Sequence, residues 1–540
     1  MTFDDFLDWV DQSLIRLAKQ QVAHERRRHV NRMYFMLANA GDDPRYTKEW
    51  KKLAKKIARL LGEPAPDVPP VAKLTRERSR PLDEPAPARS RRSHHRASHS
   101  IRRRATHPPR EPIQTNPQLE AAFDAVARKK PIVFVTGGAG TGKSTFIREL
   151  RDRFPDRNSV VLAPTGVAAL NAGGQTIHSF CHLPLRAVTP EDIREIDERD
   201  VVENLDLLIV DEVSMVRADI LDGMERFLQI NRRSKEPFGG VQVVLVGDLF
   251  QLPPVVTSTD RPLLQSRYQT PHFFSAQCLK GLSFIPVELQ VVYRQRDAEF
   301  ATLLASLRDG DDVASAVGEI NRQCVGRALS GEHLILVPTR KAAAEENERR
   351  LAALPGKERT YVAKVEGTFA TGSDDRLPAP ERLALKPKTQ VMFTRNDPEK
   401  RWVNGTVGIV DRMRDGSITV RLTDGTVHEV EPVEWQNVRY SWAEKEKRIV
   451  DEVLGSFVQY PLMPAWSVTI HKAQGLTLAR VAVDFGRGAF AEGQVYVALS
   501  RCETLEGLSL ARPVRPHEVR CSTAAREFYA KMRRRGRANT

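Results

Sequence analysis

The chain has 540 residues, 41% of them apolar, and carries 83 Lys/Arg against 69 Asp/Glu for a formal net charge of +14. That length exceeds one hydrophobic core and predicts two to four domains, while apolar runs of only five to seven residues exclude a helical membrane span. Five scattered cysteines (Cys181, Cys278, Cys324, Cys502 and Cys521) form no CxxC pair, and the opening MTFDDFLD is acidic where a secretory leader is basic, so a reducing cytoplasm is expected.

In chain order, residues 1–65 predict a small helical module. The stretch TFDDFLDWVDQSLIRLAKQ places Phe3, Phe6, Leu7, Val10, Leu14 and Leu17 on one helical face, and TKEWKKLAKKIARLLGEP aligns Trp50, Leu53, Ile57 and Leu60 before Gly62 and Pro64 stop it. No chemical motif is readable there, which leaves a docking module for a protein partner as its expected role. Residues 66–112 predict a disordered basic linker. Between Val71 and Pro112, twelve Lys/Arg stand against four Asp/Glu, a net of +8 within the chain's +14. Such a Pro/Ser/Arg-rich segment is either a solvating spacer or an electrostatic arm for nucleic acid.

From residue 113 onward short β-branched runs recur, PIVFV, VVLAP, LLIV, VQVVLV, LILVP and VAVDF, with amphipathic segments between most of them. Strands buried on both faces and joined by crossovers predict a parallel α/β sheet, whose ligands lie beyond the carboxyl ends of the strands. The first run leads into GGAGTGKST, in which Gly137, Gly138, Ala139, Gly140, Thr141, Gly142, Lys143, Ser144 and Thr145 match a P-loop. Glycines let backbone N–H groups curl around a phosphate, Lys143 reaches the β- and γ-phosphates, and the Ser144 hydroxyl is a magnesium ligand. The third run ends in Asp211-Glu212, about 70 residues on, which suits a magnesium-binding carboxylate and a base beside an attacking water. A fourth ends in VGDLFQLPPV. If that strand neighbours the other two, the Gln251 amide faces both water and γ-phosphate and acts as a sensor, with Pro253 and Pro254 stiffening the loop behind it.

Taken together, GGAGTGKST, APTGVAALNAGGQTIHSF, IVDEVSMV, PFGGVQVVLVGDLFQLPPV, VYRQRD, VNGTVG, TIHKAQGLTL and VYVALSRC resemble, in content and order, the Pif1-like DNA helicases of superfamily 1B. The resemblance covers about residues 114–513. It implies an α/β fold with two RecA-like P-loop domains and ATP with Mg²⁺ in the cleft between them. Expected bounds are 113–290 for the first domain, 291–395 and 459–515 for the two parts of the second, 396–458 for a small SH3-like β-barrel insert, and 516–540 for a basic tail. The insert's own sequence, alternating and rich in DG turns, reads only as antiparallel β. Lys143, Ser144, Asp211, Glu212 and Gln251 take the phosphate, magnesium, base and sensor positions. Arg294 and Arg501 match two arginines given from the second domain, and Gln118 matches an adenine-reading glutamine.

The DNA path implied by the resemblance crosses Pro164, Thr165, His178 and Phe180 in the first domain and Thr339, Arg340, Thr469, His471 and Lys472 in the second. Hydroxyls and N–H groups there suit phosphates, and an aromatic can stack on a base, although Phe180 also reads as a core residue. The implied partners are single-stranded and 5′-tailed duplex DNA, with G-rich folded DNA a further candidate and no membrane. The expected activity is ATP-driven, 5′-to-3′ unwinding in replication, repair or recombination, in a bacterial cytoplasm. The competing readings are a RecD-like motor subunit of a nuclease or relaxase complex, and a non-motor nucleic-acid switch that uses ATP only to hold or release its ligand.

Overall fold

The computed structural model describes residues 116–540 except 283, 295, 296, 370–376, 415, 539 and 540, with side chains to Arg534, together with four helical residues near the start, Lys51, Ala54, Lys55 and Ile57. The module expected over 1–65 and the linker expected over 66–112 otherwise lie outside the described residues. Among the described residues no helix is long and apolar enough to cross a membrane.

Helix α1 (Pro117–Ala127) starts at Asn116, whose side chain accepts the Leu119 N–H. Strand β1 (Ile132–Gly137) then runs into α2 (Lys143–Arg153), followed by β2 (Ser159–Ala163), α3 (Gly166–Ala172), β3 (Gln175–Thr176), the four-residue α4 (Ile177–Phe180), β4 (Leu207–Val210), α5 (Ala218–Asn231), β5 (Gln242–Gly247) and β6 (Ile285–Leu289). The six strands form one parallel sheet in the order β3-β2-β4-β5-β1-β6. Alternate side chains feed two cores, as the period of a strand requires. Val133, Val135, Ile209 and Val244 pack with Leu119 and Phe123 of α1 and Phe146 and Leu150 of α2. On the other face Ile132, Phe134, Leu208 and Leu245 pack with Leu221, Met224 and Phe227 of α5. A sheet covered on both faces reads as continuous apolar runs, which is why these strands were visible in the sequence.

The second domain contributes α6 (Ala298–Asp309), β7 (Leu334–Val337) and α7 (Arg340–Ala353), then a β insert, then β18 (Ser467–Thr469), β19 (Val481–Val483), α8 (Gln494–Leu499) and β20 (Leu508–Leu510). Its parallel sheet has the order β18-β7-β19-β20. The insert is wider than 396–458: its strands run from β8 (Arg359–Val362) and β9 (Lys364–Gly367) through β10 (Arg382–Leu385), β11 (Gln390–Phe393), β12 (Val407–Met413), β13 (Ile418–Leu422), β14 (Val427–Val430), β15 (Val433–Ala443) and β16 (Arg448–Gln459) to β17 (Leu462–Pro464). Among the described residues they form separate sheets, β14-β13-β12-β11-β17, β15-β16-β9 and β10-β8, not one closed barrel. The β15–β16 ribbon reaches the first domain, where the Tyr440 hydroxyl accepts the Val161 N–H at 3.0 Å and Ile449 N–H donates to Asn158 Oδ1 at 3.1 Å.

The segment expected as a basic tail is a packed helix, α9 (Thr523–Ala538). Ala525, Phe528, Tyr529 and Met532 follow the i, i+3, i+4, i+7 spacing of an apolar stripe. They join the α5-side core of the first sheet, with Phe528 stacked on Phe274 at 4.5 Å and packed near Phe134, Phe273 and Phe284. Arg526, Arg533 and Arg534 are exposed on the helix's outer side, where Arg533 makes a bidentate pair with Glu288 of β6 at 2.8 and 3.0 Å.

Candidate functional site

Strands β4, β5 and β1 are adjacent, so the loops after them meet at one edge of the sheet. Register places Thr136 opposite Gly247 and Val210 opposite Leu245. The P-loop, Asp211-Glu212 and the Asp248–Gln251 turn therefore leave the sheet at one level. Gly140 and Gly142 take φ of +78° and +90°, and a Cβ on Gly140 would fall 2.3 Å from Arg294 Cβ. Glycine is needed there both for the backbone and for the close approach. Lys143 Nζ donates to the Gly137 and Gly138 carbonyls at 2.9 and 2.8 Å, and burial lowers its pKa against the opposing pull of Asp248 and Glu212. Ser144 is exposed at the first turn of α2. Thr141 Oγ1 donates to the Gly138 carbonyl at 3.0 Å, and the Ala139 N–H donates to the Tyr496 hydroxyl at 2.9 Å.

Burial and the neighbouring Glu212 charge push the Asp211 carboxyl up to about 7, and burial likewise raises Glu212 while Lys143 and Arg501 pull it down. Glu212 sits at φ +49°, a left-handed backbone unusual for a non-glycine residue. Gln251 is held at both ends of its amide. Its Nε2 donates to Asp248 Oδ2 at 3.3 Å, and its Oε1 accepts from Gln474 Nε2 at 3.1 Å. Gln474 Nε2 also donates to Glu212 Oε2 at 3.1 Å, so one second-domain amide touches both the base and the sensor positions. Gln474 lies inside TIHKAQG beside the more conspicuous His471 and Lys472, and no local pattern marks it. Only the approach of the two sheets gives it partners.

Arg501 projects from just after α8, 1% exposed, with Nε donating to the Val497 carbonyl at 2.9 Å and Nη2 to Ser500 Oγ at 2.8 Å. Burial and the Arg294 charge push its pKa down to about 9. Arg294, expected on the second domain, stands in the connector directly after β6. The adjacent Tyr293 N–H donates to the Gly140 carbonyl at 2.9 Å, and Arg294 Nη2 reaches the Gly475 carbonyl at 3.3 Å. The Tyr293 hydroxyl accepts from Asn116 Nδ2 at 2.8 Å, which ties the start of α1 to the connector. Gln118, on α1, has a buried Oε1 with no hydrogen-bond partner among the described residues, which suits an acceptor waiting for an exocyclic amine.

The residues fit a magnesium nucleotide. Left-handed glycines at a helix N-terminus, a desolvated lysine, an exposed hydroxyl on Ser144 and a hard carboxylate on Asp211 form an oxygen-donor set for a cation that keeps most of its water.

The proposed DNA residues divide. Thr165 and Thr339 follow strands and Thr469 ends one, and each hydroxyl oxygen accepts the N–H three residues on (Ala168, Ala342 and Lys472, 3.2–3.3 Å). A capping hydroxyl keeps its own proton for a phosphate oxygen. Strands β7 and β18 pair with Thr469 opposite Val337, which brings Thr339 and Arg340 beside His471 and Lys472. Partial burial and the Arg340 charge lower the pKa of His471, and burial and the Arg217 charge lower that of His178. Pro164 is half-buried at the end of β2. Phe180 is corrected: it is 8% exposed and packs edge-on against Phe227 and Tyr440, both at 6.2 Å. In the four-residue α4, Phe180 shares an inward face with Ile177, and the insert's Tyr440 covers what a lone domain would expose.

A family model described as PIF1-like helicase matches residues 115–316, and another described as Helicase matches residues 446–528. The chain is 34% identical over 441 residues to the human ATP-dependent DNA helicase PIF1, covering 78% of this chain and 65% of that protein. It is 32% identical over 410 residues to the ATP-dependent DNA helicase Pif1 of Bdellovibrio bacteriovorus, covering 74% of this chain and 88% of that one. The crystal structure of Bacteroides sp Pif1 in complex with ADP-AlF4 is similar with a TM-score of 0.73 and 35% identity, covering 79% of this chain and 98% of that one. The chain thus spans just under two thirds of the human relative's length.

Proposed function

Because the chain belongs to the PIF1-like helicase family, we propose that it is an ATP-hydrolysing motor that moves 5′ to 3′ on single-stranded DNA and opens 5′-tailed duplexes. The observation that carries this reading is Gln474, which joins Glu212 and Gln251 from the opposite domain. A switch that merely holds nucleotide needs no such bridge, whereas a motor must link each turnover to relative movement of two domains.

In this reading Lys143 leaves the Gly137 and Gly138 carbonyls for the β- and γ-phosphates, and Ser144 with Asp211 holds the cation. Bound magnesium would neutralise charge on the phosphate oxygens. Glu212 takes the proton of the attacking water, aided by a burial-raised pKa that makes its anion a stronger base. Gln251 orients that water, and Arg294 and Arg501 meet the charge that builds on the transferred phosphoryl group. The threonine hydroxyls at the ends of β2, β7 and β18 grip successive DNA phosphates. Its place is the cytoplasm, with DNA, in replication, repair or recombination.

Tailed duplexes test the reading. Strand displacement should require a 5′ tail and ATP, and Lys143→Ala should abolish it together with ATPase. Glu212→Gln should bind ATP and single strands yet hydrolyse slowly, and Gln251→Ala should lose DNA-stimulated turnover with little change in ATP affinity. Unwinding from a 3′ tail alone would overturn the polarity, and ATP turnover without displacement on either tail would favour the switch. Co-purification with nuclease subunits would favour the RecD-like alternative, and G-rich folded DNA is the next substrate to assay.

A further inference from the structure

Asp248 directly follows β5 and is 0% exposed, so its carboxylate must find its partners inside the protein. Its Oδ1 accepts the Phe250 N–H at 3.2 Å and Arg308 Nε at 3.3 Å, and its Oδ2 accepts Gln251 Nε2 at 3.3 Å and the Tyr496 hydroxyl at 3.2 Å. Two of these donors belong to the Gln251 loop, and two come from the second domain, on α6 and α8. Tyr496 also receives the P-loop Ala139 N–H, so one carboxylate links the sensor loop, the phosphate loop and the second domain.

Arg308 is the only cation in that set of donors, and α9 encloses it. Its Nη2 donates to the Tyr529 hydroxyl at 3.2 Å, and its guanidinium lies 4.9 Å from the Phe250 ring centre and 5.4 Å from the Tyr529 ring centre. The Phe250 and Tyr529 rings are 5.4 Å apart. Tyr529 is anchored in the first domain's core, and Arg533, one turn on, lies over its ring and pairs with Glu288. The chain therefore leaves the second domain at β20 and returns on the first, gripping a second-domain arginine between its own tyrosine and the sensor loop. Gly493 brings α8 against the same loop, since a Cβ there would meet the Phe250 and Gln251 carbonyls at 2.5 Å.

We propose that Arg308 is a positioning residue: held between Asp248 and α9, it fixes the Gln251 loop relative to the second domain and so couples domain movement to ATP turnover. This rests on the motor reading above. Neither Arg308 nor Tyr529 hydrogen-bonds the P-loop, although the Arg308 side chain passes close to Gly138, where a Cβ would lie 3.8 Å from its Cδ, so their loss should disturb the orientation of the Gln251 amide far more than nucleotide binding.

Arg308→Gln, Arg308→Lys and Tyr529→Phe, each in the full chain, separate coupling from scaffolding. The readouts are ATP turnover with and without saturating oligo-dT, KM for ATP, ATP consumed per nucleotide travelled, and melting temperature. Arg308→Gln should lower DNA-stimulated kcat by about tenfold or more, the scale of a misplaced orienting group, with KM for ATP within about twofold and more ATP consumed per nucleotide. Arg308→Lys should recover part of the loss, because the charge returns without the planar fork. Tyr529→Phe should lower stimulated kcat about threefold, as for one hydrogen bond. Unchanged stimulated turnover in Arg308→Gln, or a fall in stimulated and basal turnover by one factor alongside a lower melting temperature, overturns the proposal. Should Arg308→Gln not fold, an unchanged ratio of stimulated to basal turnover in Tyr529→Phe overturns it instead. A wild-type chain without DNA-stimulated ATPase would refute the motor reading itself, which distinguishes the two failures.

Discussion

The first domain brings the P-loop, Asp211, Glu212 and Gln251 to three adjacent strand ends of a six-stranded sheet, whereas the four-stranded sheet of the second sends single side chains, Gln474 and Arg501, into the same cleft. The first set is held by one sheet with cores on both faces. The second depends on how closely another body approaches. Within the first set the P-loop and Asp211 should govern nucleotide binding and chemistry together and Glu212 and Gln251 chemistry alone, and groups of the second should govern turnover while leaving binding intact. Arg294 falls between them, in the connector packed on Gly140.

The arginines break or sharpen this division most strongly. Replacing either with Ala should lower DNA-stimulated kcat by roughly 10³–10⁵ with a small change in ATP affinity. Arg501→Ala should also lower melting temperature, because Arg501 is buried and bonds the Val497 carbonyl and Ser500, whereas Arg294→Ala should not. Equal effects of both on melting would deny the contrast. Next in size is Phe180→Ala, which should destabilise the fold by about 3–5 kcal/mol and leave the single-strand affinity of the folded fraction unchanged, while His178→Ala should do the reverse. Denaturant melts with fluorescence-anisotropy titrations would separate them.

A third prediction concerns the helix that crosses the division. His272 is buried and stacks on Phe274 at 5.0 Å, its Nε2 lies 3.4 Å from Ser522 Oγ at the start of α9, and burial pushes its pKa down to about 4. The unfolded chain binds this proton more readily, so the contribution is fully present above the ordinary value near 6.5. It is lost as pH falls from about 6.5 to 4, by about 3 kcal/mol in all. His272→Phe should flatten that part of the stability profile. The smallest effect is expected from deleting residues 1–112. If half of the eight arginines between Arg89 and Arg110 of the linker meet phosphates, the salt dependence of single-strand binding should become shallower by about three log units per log of salt, at roughly 0.7 per contact. ATPase at saturating DNA should stay unchanged. An unchanged slope would reduce the linker to a spacer.

By itself the sequence determined the parts that depend on local pattern. Strands buried on both faces show as apolar runs, a P-loop needs its glycines in order, and a strand followed by Asp-Glu or by GDLFQ puts those groups at a strand end whatever surrounds it. Tertiary structure decided everything that needs two distant segments to meet. Phe180 reads as a base-stacking ring until Tyr440, 260 residues later, covers it. Gln474 and Arg308 carry no signature of their own, because their meaning lies in Glu212, Gln251 and Asp248 across the cleft. The apolar stripe of α9 is hidden in a sequence crowded with arginines, and the aromatic cluster around Phe134 shows that this helix belongs to the first domain. A local rule can name a residue's chemistry, but a buried charge or amide is given its role by the partner that satisfies it.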